Sequence, residues 1–227
     1  MQLSAAVMLQ YRKNSEGKNM QRIIFATGNV NKMKEIRAIL GELQFGGEPV
    51  EIVSMKEAGI TIEIEETGTS FEENAQIKAK AVWNCARGAI VMADDSGLEI
   101  DYLNKEPGIY SARYMGEDTS YHIKNLHLIE RLQGVPEEKR TARFVCAIAC
   151  IMPDEKCLVT RGTIEGRIGY EEKGSHGFGY DPIFYVPEYG KSTAELTEEE
   201  KNKISHRGKA LRSMRQQLEK YLAGEHV

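Results

Sequence analysis

The chain has 227 residues, with 30 lysines and arginines against 34 aspartates and glutamates and a formal net charge of −4. Hydrophobic residues make up 41% and charged residues 28%, the balance of a globular protein long enough to bury a substantial core. This excludes a dedicated basic nucleic-acid binder but not a small anionic ligand in a local basic pocket, and no apolar run approaches a membrane span.

Residues 1–20 are mildly apolar and then polar, without the basic start and cleavage site of a signal peptide. They read as a disordered N-terminal extension, with a single folded domain over 21–227. Cys85, Cys146, Cys150 and Cys157 show neither a Cys-x-x-Cys pair nor zinc-type spacing to histidine. They read as reduced core or near-core thiols, which implies a cytoplasmic setting.

Arg22 to Thr27 is a predicted strand, broken by Gly28-Asn29, and Asn31 to Leu40 carries helical periodicity. Val50 to Ser54 is a second strand, and Ile60 to Glu66 alternates apolar and polar residues as a further one. Ser70 with Glu73 forms a capping box that opens a helix running to Gly88. Ala89 to Ala93 is a buried strand ending at Asp94-Asp95-Ser96-Gly97, and Leu98 to Leu103 is a separate short strand. Thr119 to Leu132 is an amphipathic helix with Ile123, Leu126, Ile129 and Leu132 as its buried stripe. Thr141 to Met152 and Lys156 to Arg161 form a hairpin, and a short strand lies near Ile183. Thr197 and Glu200 make another capping box, and Ser205 opens a last helix to about Leu222. The class is α/β with a mixed sheet, one domain in two lobes.

Five segments bear chemistry. Asp94 and Asp95 repel each other at the end of a buried strand unless a cation compensates, and hard carboxylate oxygens suit magnesium. Glu65-Glu66 ends the Ile60–Glu66 segment and offers partners for that metal. Thr27-Gly28-Asn29-Val30-Asn31-Lys32 joins a strand to a helix, where free N–H groups and a lysine favour phosphate. Gly174, Gly177 and Gly179 open a loop in which Phe178 and Tyr180 offer rings to a base and Asp181 offers an acceptor. Ser205-His206-Arg207 places two basic residues in a first helical turn, against the helix dipole, which suits a neighbouring anion or polar base. Each segment alone is equally an ordinary turn or a solvated charge cluster.

Together, Thr27-Gly-Asn-x-x-Lys32, Glu65 to Ala75, Ala93-Asp-Asp-Ser-Gly-Leu98, Pro107 to Tyr114, Gly177 to Phe184 and Ser205-His-Arg207 closely resemble the inosine/xanthosine triphosphate pyrophosphatase family, also called Ham1-like or RdgB-like. The matches stand in the family's order from Arg22 to about Leu218. The resemblance implies an elongated mixed β-sheet flanked by helices, in two lobes with the active site in the cleft between them. It implies Mg²⁺-dependent hydrolysis of ITP, dITP and XTP to the monophosphate and pyrophosphate, by a homodimer that engages neither nucleic acid nor membrane. By the same resemblance Thr27, Gly28, Asn29, Val30, Asn31 and Lys32 hold the triphosphate, and Glu65, Asp95 and Glu66 bind the metal. Asp95 is the general base with Asp94 in support, and Ser96 contacts substrate. Phe178, Gly179, Tyr180 and Asp181 form the base pocket, Lys201 reaches the phosphates or the base edge, and His206 and Arg207 read the purine. Two rivals stand beside this reading: a Maf-like pyrophosphatase for modified nucleotides, and a nucleotide sensor that does not cleave. The paired Ser205-His206-Arg207 and Phe178–Asp181 segments disfavour the first, and the full acid set disfavours the second.

Overall fold

The computed structural model describes residues 11–13, 19–45 and 48–222. The strands are β1 (Tyr11–Lys13), β2 (Asn19–Phe25), β3 (Gln44–Phe45), β4 (Glu48–Pro49), β5 (Glu51–Ser54), β6 (Ile90–Ile100), β7 (Thr141–Ile151), β8 (Cys157–Ile168), β9 (Phe184–Val186) and β10 (Lys191–Ser192). The α-helices are α1 (Val30–Leu40), α2 (Phe71–Cys85), α3 (Tyr121–Arg131), α4 (Glu198–Ile204) and α5 (His206–Leu222). Eight strands share one mixed sheet in the order β1-β2-β6-β7-β8-β9-β10, with β5 also on β2. The expected extension over 1–20 falls mostly outside the described residues, but Tyr11–Lys13 pairs antiparallel with Asn19–Gln21.

The chain divides into two compact units. The first comprises residues up to Asp95, Ala147–Arg161 and Ala210 onward, and the second Ser96–Cys146 and Gly162–Lys209. In the first, β2 lies parallel to both β5 and β6. Ile23, Ile24, Phe25, Val91 and Met92 are fully buried, as near-continuous apolar runs require of strands covered on both faces. Helix α1 buries Met33, Ile36 and Leu40, and α2 buries Phe71, Ala75, Ala79, Val82 and Trp83. In the second unit, Leu98, Ile100, Leu128, Leu132, Phe144, Ile164, Ile183 and Phe184 form one core. Arg140 is buried there and spends its guanidinium on the carbonyls of Ile168, Leu132 and Gly169, at 2.8, 2.7 and 2.6 Å.

Several expectations need correction. Ile60 to Glu66 forms no strand. The two strands expected on either side of Asp94-Asp95-Ser96-Gly97 are one continuous strand, β6, so the acids sit in mid-strand. The expected stripe of helix α3 is half right: Leu132 is in the core and Ile129 packs against it, but Ile123 and Leu126 are exposed, whereas Lys124, Asn125 and Leu128 are buried. Lys124 earns that place by donating to the Ala112 carbonyl at 2.7 Å. None of the four cysteines is in a disulfide; Cys146 and Cys150 are buried as expected, but Cys85 and Cys157 are exposed. Among the described residues no helix is long and apolar enough to cross a membrane.

Candidate active site

In the first unit the acids gather around two lysines. β6 carries Asp94 and Asp95 into the core, where both are almost fully buried. Lys32, two residues into α1, approaches the Asp94 oxygens at 3.0 and 3.2 Å. Lys78 of α2 lies 2.9 Å from Asp95 Oδ1 and 2.9 Å from Glu66 Oε1. Asn74, one turn earlier, donates Nδ2 to Asp95 Oδ2 at 3.2 Å and accepts the Gly68 N–H on Oδ1 at 2.8 Å. That asparagine closes the Glu66–Gly68 segment onto α2, and a Cβ on Gly68 would stand 2.6 Å from its Oδ1.

The electrostatics follow from this packing. Burial would lower the Lys78 ammonium, but the charges of Asp95, Asp94 and Glu66 outweigh it and keep Lys78 above its ordinary value. Burial raises Asp95 above the usual carboxylate range, with Glu66 adding to the rise, although Lys78 and Lys32 oppose it.

Neither Lys78 nor Asn74 was assigned a role from sequence. The signal was nevertheless there: Lys78 falls among Phe71, Ala75 and Val82 on the face that α2 buries, a place where a lysine requires a charged partner. Glu65, expected as a metal ligand, is exposed and its side chain takes no part in these bonds. Among the described residues no three histidine, cysteine or acidic side chains stand together as a metal cage.

The Thr27–Lys32 turn is built differently from expectation. Asn29 is the N-cap of α1, and its Oδ1 accepts from the N–H groups of Asn31 and Lys32 at 2.9 and 3.1 Å. Two of the amides expected to be open to phosphate are therefore satisfied internally. Gly28, Asn29 and Val30 are exposed, and nothing stands within 4 Å of a Cβ on Gly28.

The second unit holds the aromatic and basic residues. Gly177 and Gly179 take positive φ of 76° and 70°, conformations that favour glycine, and hold Phe178 between them. The Phe178 ring faces the Lys201 ammonium at 4.9 Å and the Arg207 guanidinium at 5.7 Å. Arg207 also approaches the Ser96 hydroxyl at 3.4 Å. His206 stacks on Phe144, with centroids 4.9 Å apart. His206 and Arg207 are thus buried side chains at the start of α5, not a solvated basic turn.

Two residues expected at the base are engaged within the fold. Tyr180 is buried in the core and donates its hydroxyl to the Ser111 carbonyl at 2.7 Å. The Asp181 carboxylate already accepts from the Phe178 N–H at 2.7 Å, the Thr193 hydroxyl at 2.9 Å and Lys201 at 2.7 Å. It organises the loop around Phe178.

The Ham1 family profile matches residues 23–217, which spans both units. The chain belongs to the Ham1 family. It is 49% identical over 203 residues to the dITP/XTP pyrophosphatase of Caldanaerobacter subterraneus subsp. tengcongensis, covering 89% of this chain and 98% of that protein. It is 47% identical over 200 residues to the Bacillus subtilis dITP/XTP pyrophosphatase, covering 88% and 98%. Among solved structures, the Staphylococcus aureus Ham1 protein aligns with a TM-score of 0.77 at 39% identity, covering 88% of this chain and 98% of that one. The Coxiella burnetii HAM1 protein aligns with the same TM-score at 38% identity, covering 88% and 100%. The Ham1 fold accordingly includes the mixed sheet and helices described above, and the family match begins four residues into β2.

Proposed function

We propose that the chain hydrolyses non-standard purine nucleoside triphosphates, ITP, dITP and XTP, to the nucleoside monophosphate and pyrophosphate. The observation that carries this reading is the Lys78 bridge between Asp95 and Glu66, in a chain 46–49% identical to dITP/XTP pyrophosphatases.

In this reading Asp95 takes a proton from a water whose oxygen attacks the α-phosphorus. The bond from the α-phosphorus to the α–β bridging oxygen breaks, and pyrophosphate leaves with its growing charge met by Lys32 and Lys78. Asn74 holds Asp95 Oδ2, which leaves the orientation of the accepting oxygen defined. Magnesium fits the donor chemistry: Asp95 and Glu66 are hard oxygen ligands, each 2.9 Å from one shared ammonium. Magnesium usually combines one or two carboxylates with substrate phosphates and water, and Asp95 and Glu66 supply two. Asp95 and Glu66 would hold the cation, with Glu65 next in line. When bound, it supplies charge neutralisation at the phosphate oxygens.

Purine recognition falls to Phe178, Lys201, His206, Arg207 and Ser96. Phe178 stacks on the base, and the cationic donors suit a 6-oxo group, whereas the adenine amino group would leave a donor unpaired. Such a mismatch costs about 1–3 kcal/mol. Asp95 is peptide-bonded to Ser96, so the strand that bears the base also bears the hydroxyl facing Arg207. A homodimer acting on the cytoplasmic nucleotide pool belongs to the same proposal and is supported by the family resemblance. Measuring pyrophosphate release from ITP, XTP, dTTP and ATP with Mg²⁺ tests the reading: release from ITP and XTP well above the other two supports it, and a preference for dTTP or no release overturns it.

A further inference from the structure

The loop that carries Phe178 is fixed on one side by Asp181, through the Phe178 N–H. On its other side stands the first half of α3, which the sequence reading credited only with an apolar stripe. Asn125 of α3 is 1% exposed and donates Nδ2 to the Gly179 carbonyl at 3.3 Å and to Glu172 Oε1 at 2.7 Å. His122 Nδ1 lies 2.6 Å from the other Glu172 oxygen. Tyr121 meets Tyr180 edge-on, with centroids 5.2 Å apart at 89°. The Tyr121 ring is also the nearest group to a Cβ on Gly179, at 3.6 Å. A buried amide at a helix position next to Leu128 costs stability unless its bonds do something an apolar side chain would not. Here its amide nitrogen ties the carbonyl of a left-handed glycine to a carboxylate on the strand-side end of the same loop.

We propose that Asn125, backed by Glu172, is a positioning residue for purine recognition: it holds the Gly179 carbonyl so that the Phe178 ring stays where Lys201 and Arg207 face it. Asn125 acts through the loop backbone and needs no contact with substrate. The proposal rests on the reading of Phe178 and Arg207 as the purine pocket. It makes α3 a part of the specificity apparatus, although none of the segments that carry the family resemblance lies in that helix.

The test is steady-state kinetics of full-length Asn125→Ala, Glu172→Ala and Glu172→Gln on ITP and ATP with Mg²⁺, with thermal midpoints measured alongside. Loss of one buried hydrogen bond corresponds to roughly a tenfold change. Asn125→Ala should therefore raise KM for ITP about tenfold, leave kcat within about twofold, and lower the ITP-to-ATP ratio of kcat/KM. Glu172→Ala should move the same way, and Glu172→Gln, which keeps an oxygen for the Asn125 amide, should stay near wild type. If Asn125→Ala does not fold, the half-buried Glu172 pair carries the test. A purely structural role would lower the thermal midpoint and the active fraction, hence kcat, and leave KM alone; that result overturns the proposal. Arg207→Ala in the same assay separates the two levels. If it lowers the ITP preference while the Asn125 and Glu172 variants keep wild-type KM, positioning alone is wrong. If it leaves the ITP preference intact, the purine-pocket reading falls and the proposal falls with it.

Discussion

Lys78 Nζ lies 2.9 Å from Asp95 Oδ1, and the same ammonium reaches Glu66 at an equal distance. One cation from the buried face of α2 thereby ties a mid-strand aspartate to a glutamate from an irregular segment. Replacing it with Lys78→Met keeps the stem volume and removes the cation that the two acids share. Stability should fall by about 3 kcal/mol at neutral pH, the scale for breaking a buried pair. A carboxylate whose folded pKa lies above its unfolded value destabilises the fold at high pH and ceases to as pH falls through that value. Asp95 is already raised with Lys78 present, so the deficit of the variant should narrow in acid. Urea unfolding at pH 7 and pH 5 checks this; a deficit that widens in acid contradicts it.

Gly177 sits at φ 76°, and a Cβ there would stand 2.2 Å from Asp181 Oδ2. Gly177→Ala should push the Asp181 carboxylate off the Phe178 N–H and loosen the loop. The expected outcome is a roughly tenfold fall in kcat/KM for ITP, from a backbone strain of about 1–3 kcal/mol. The thermal midpoint should fall as well, since the folded state bears the strain and the displaced Asp181 is buried against Lys201. Unchanged kinetics on ITP would remove this loop from recognition.

Asp101 offers a pH test remote from the acid cluster. Burial alone would raise it, but bonds from Lys105, Thr141 and Arg143 prevail and hold it well below the usual carboxylate range. A lowered folded pKa gives stability that is complete above the unfolded value of about 3.9 and is lost as pH falls toward the folded one. The side chain is 31% exposed, so solvent screening reduces the effect. Asp101→Asn should cost about 1 kcal/mol at pH 7 and visibly less at pH 3. Equal losses at both pH values, measured by chemical unfolding, would remove the ionised carboxylate from the account.

Much of the fold was legible because the signals were local. The Thr197–Glu200 capping box opens α4 as the sequence announces, and the apolar periodicities mark α1, α2 and α5. Less was legible where tertiary context decides. Asp94-Asp95-Ser96-Gly97 has turn composition, yet Lys32 of α1 and the buried Lys78 of α2 neutralise the acids and the strand runs on through them. Helix α3 shows an apolar stripe, but its buried face is set by Lys124 and Asn125, whose acceptors lie 12 to 54 residues away. In the candidate site, Asp95, Lys32 and Arg207 could be named from motif context. Asn74 and Lys78 could not, because their value depends on which strand α2 covers. The burial of Tyr180 is not legible either, because a ring in a glycine-rich loop does not reveal which way it points.

The central claim is that Asp95 serves cleavage of the α–β phosphoanhydride. Its most direct test is product analysis with ITP and Mg²⁺ for wild type and Asp95→Asn, with nucleotide binding measured in parallel by calorimetry. The account predicts that wild type yields inosine monophosphate and pyrophosphate in equal amounts. The variant should bind ITP with little loss while turnover falls by roughly 100-fold or more, the scale of a removed general base. Wild-type-like turnover in Asp95→Asn, or release of orthophosphate and inosine diphosphate by the wild type, would contradict it.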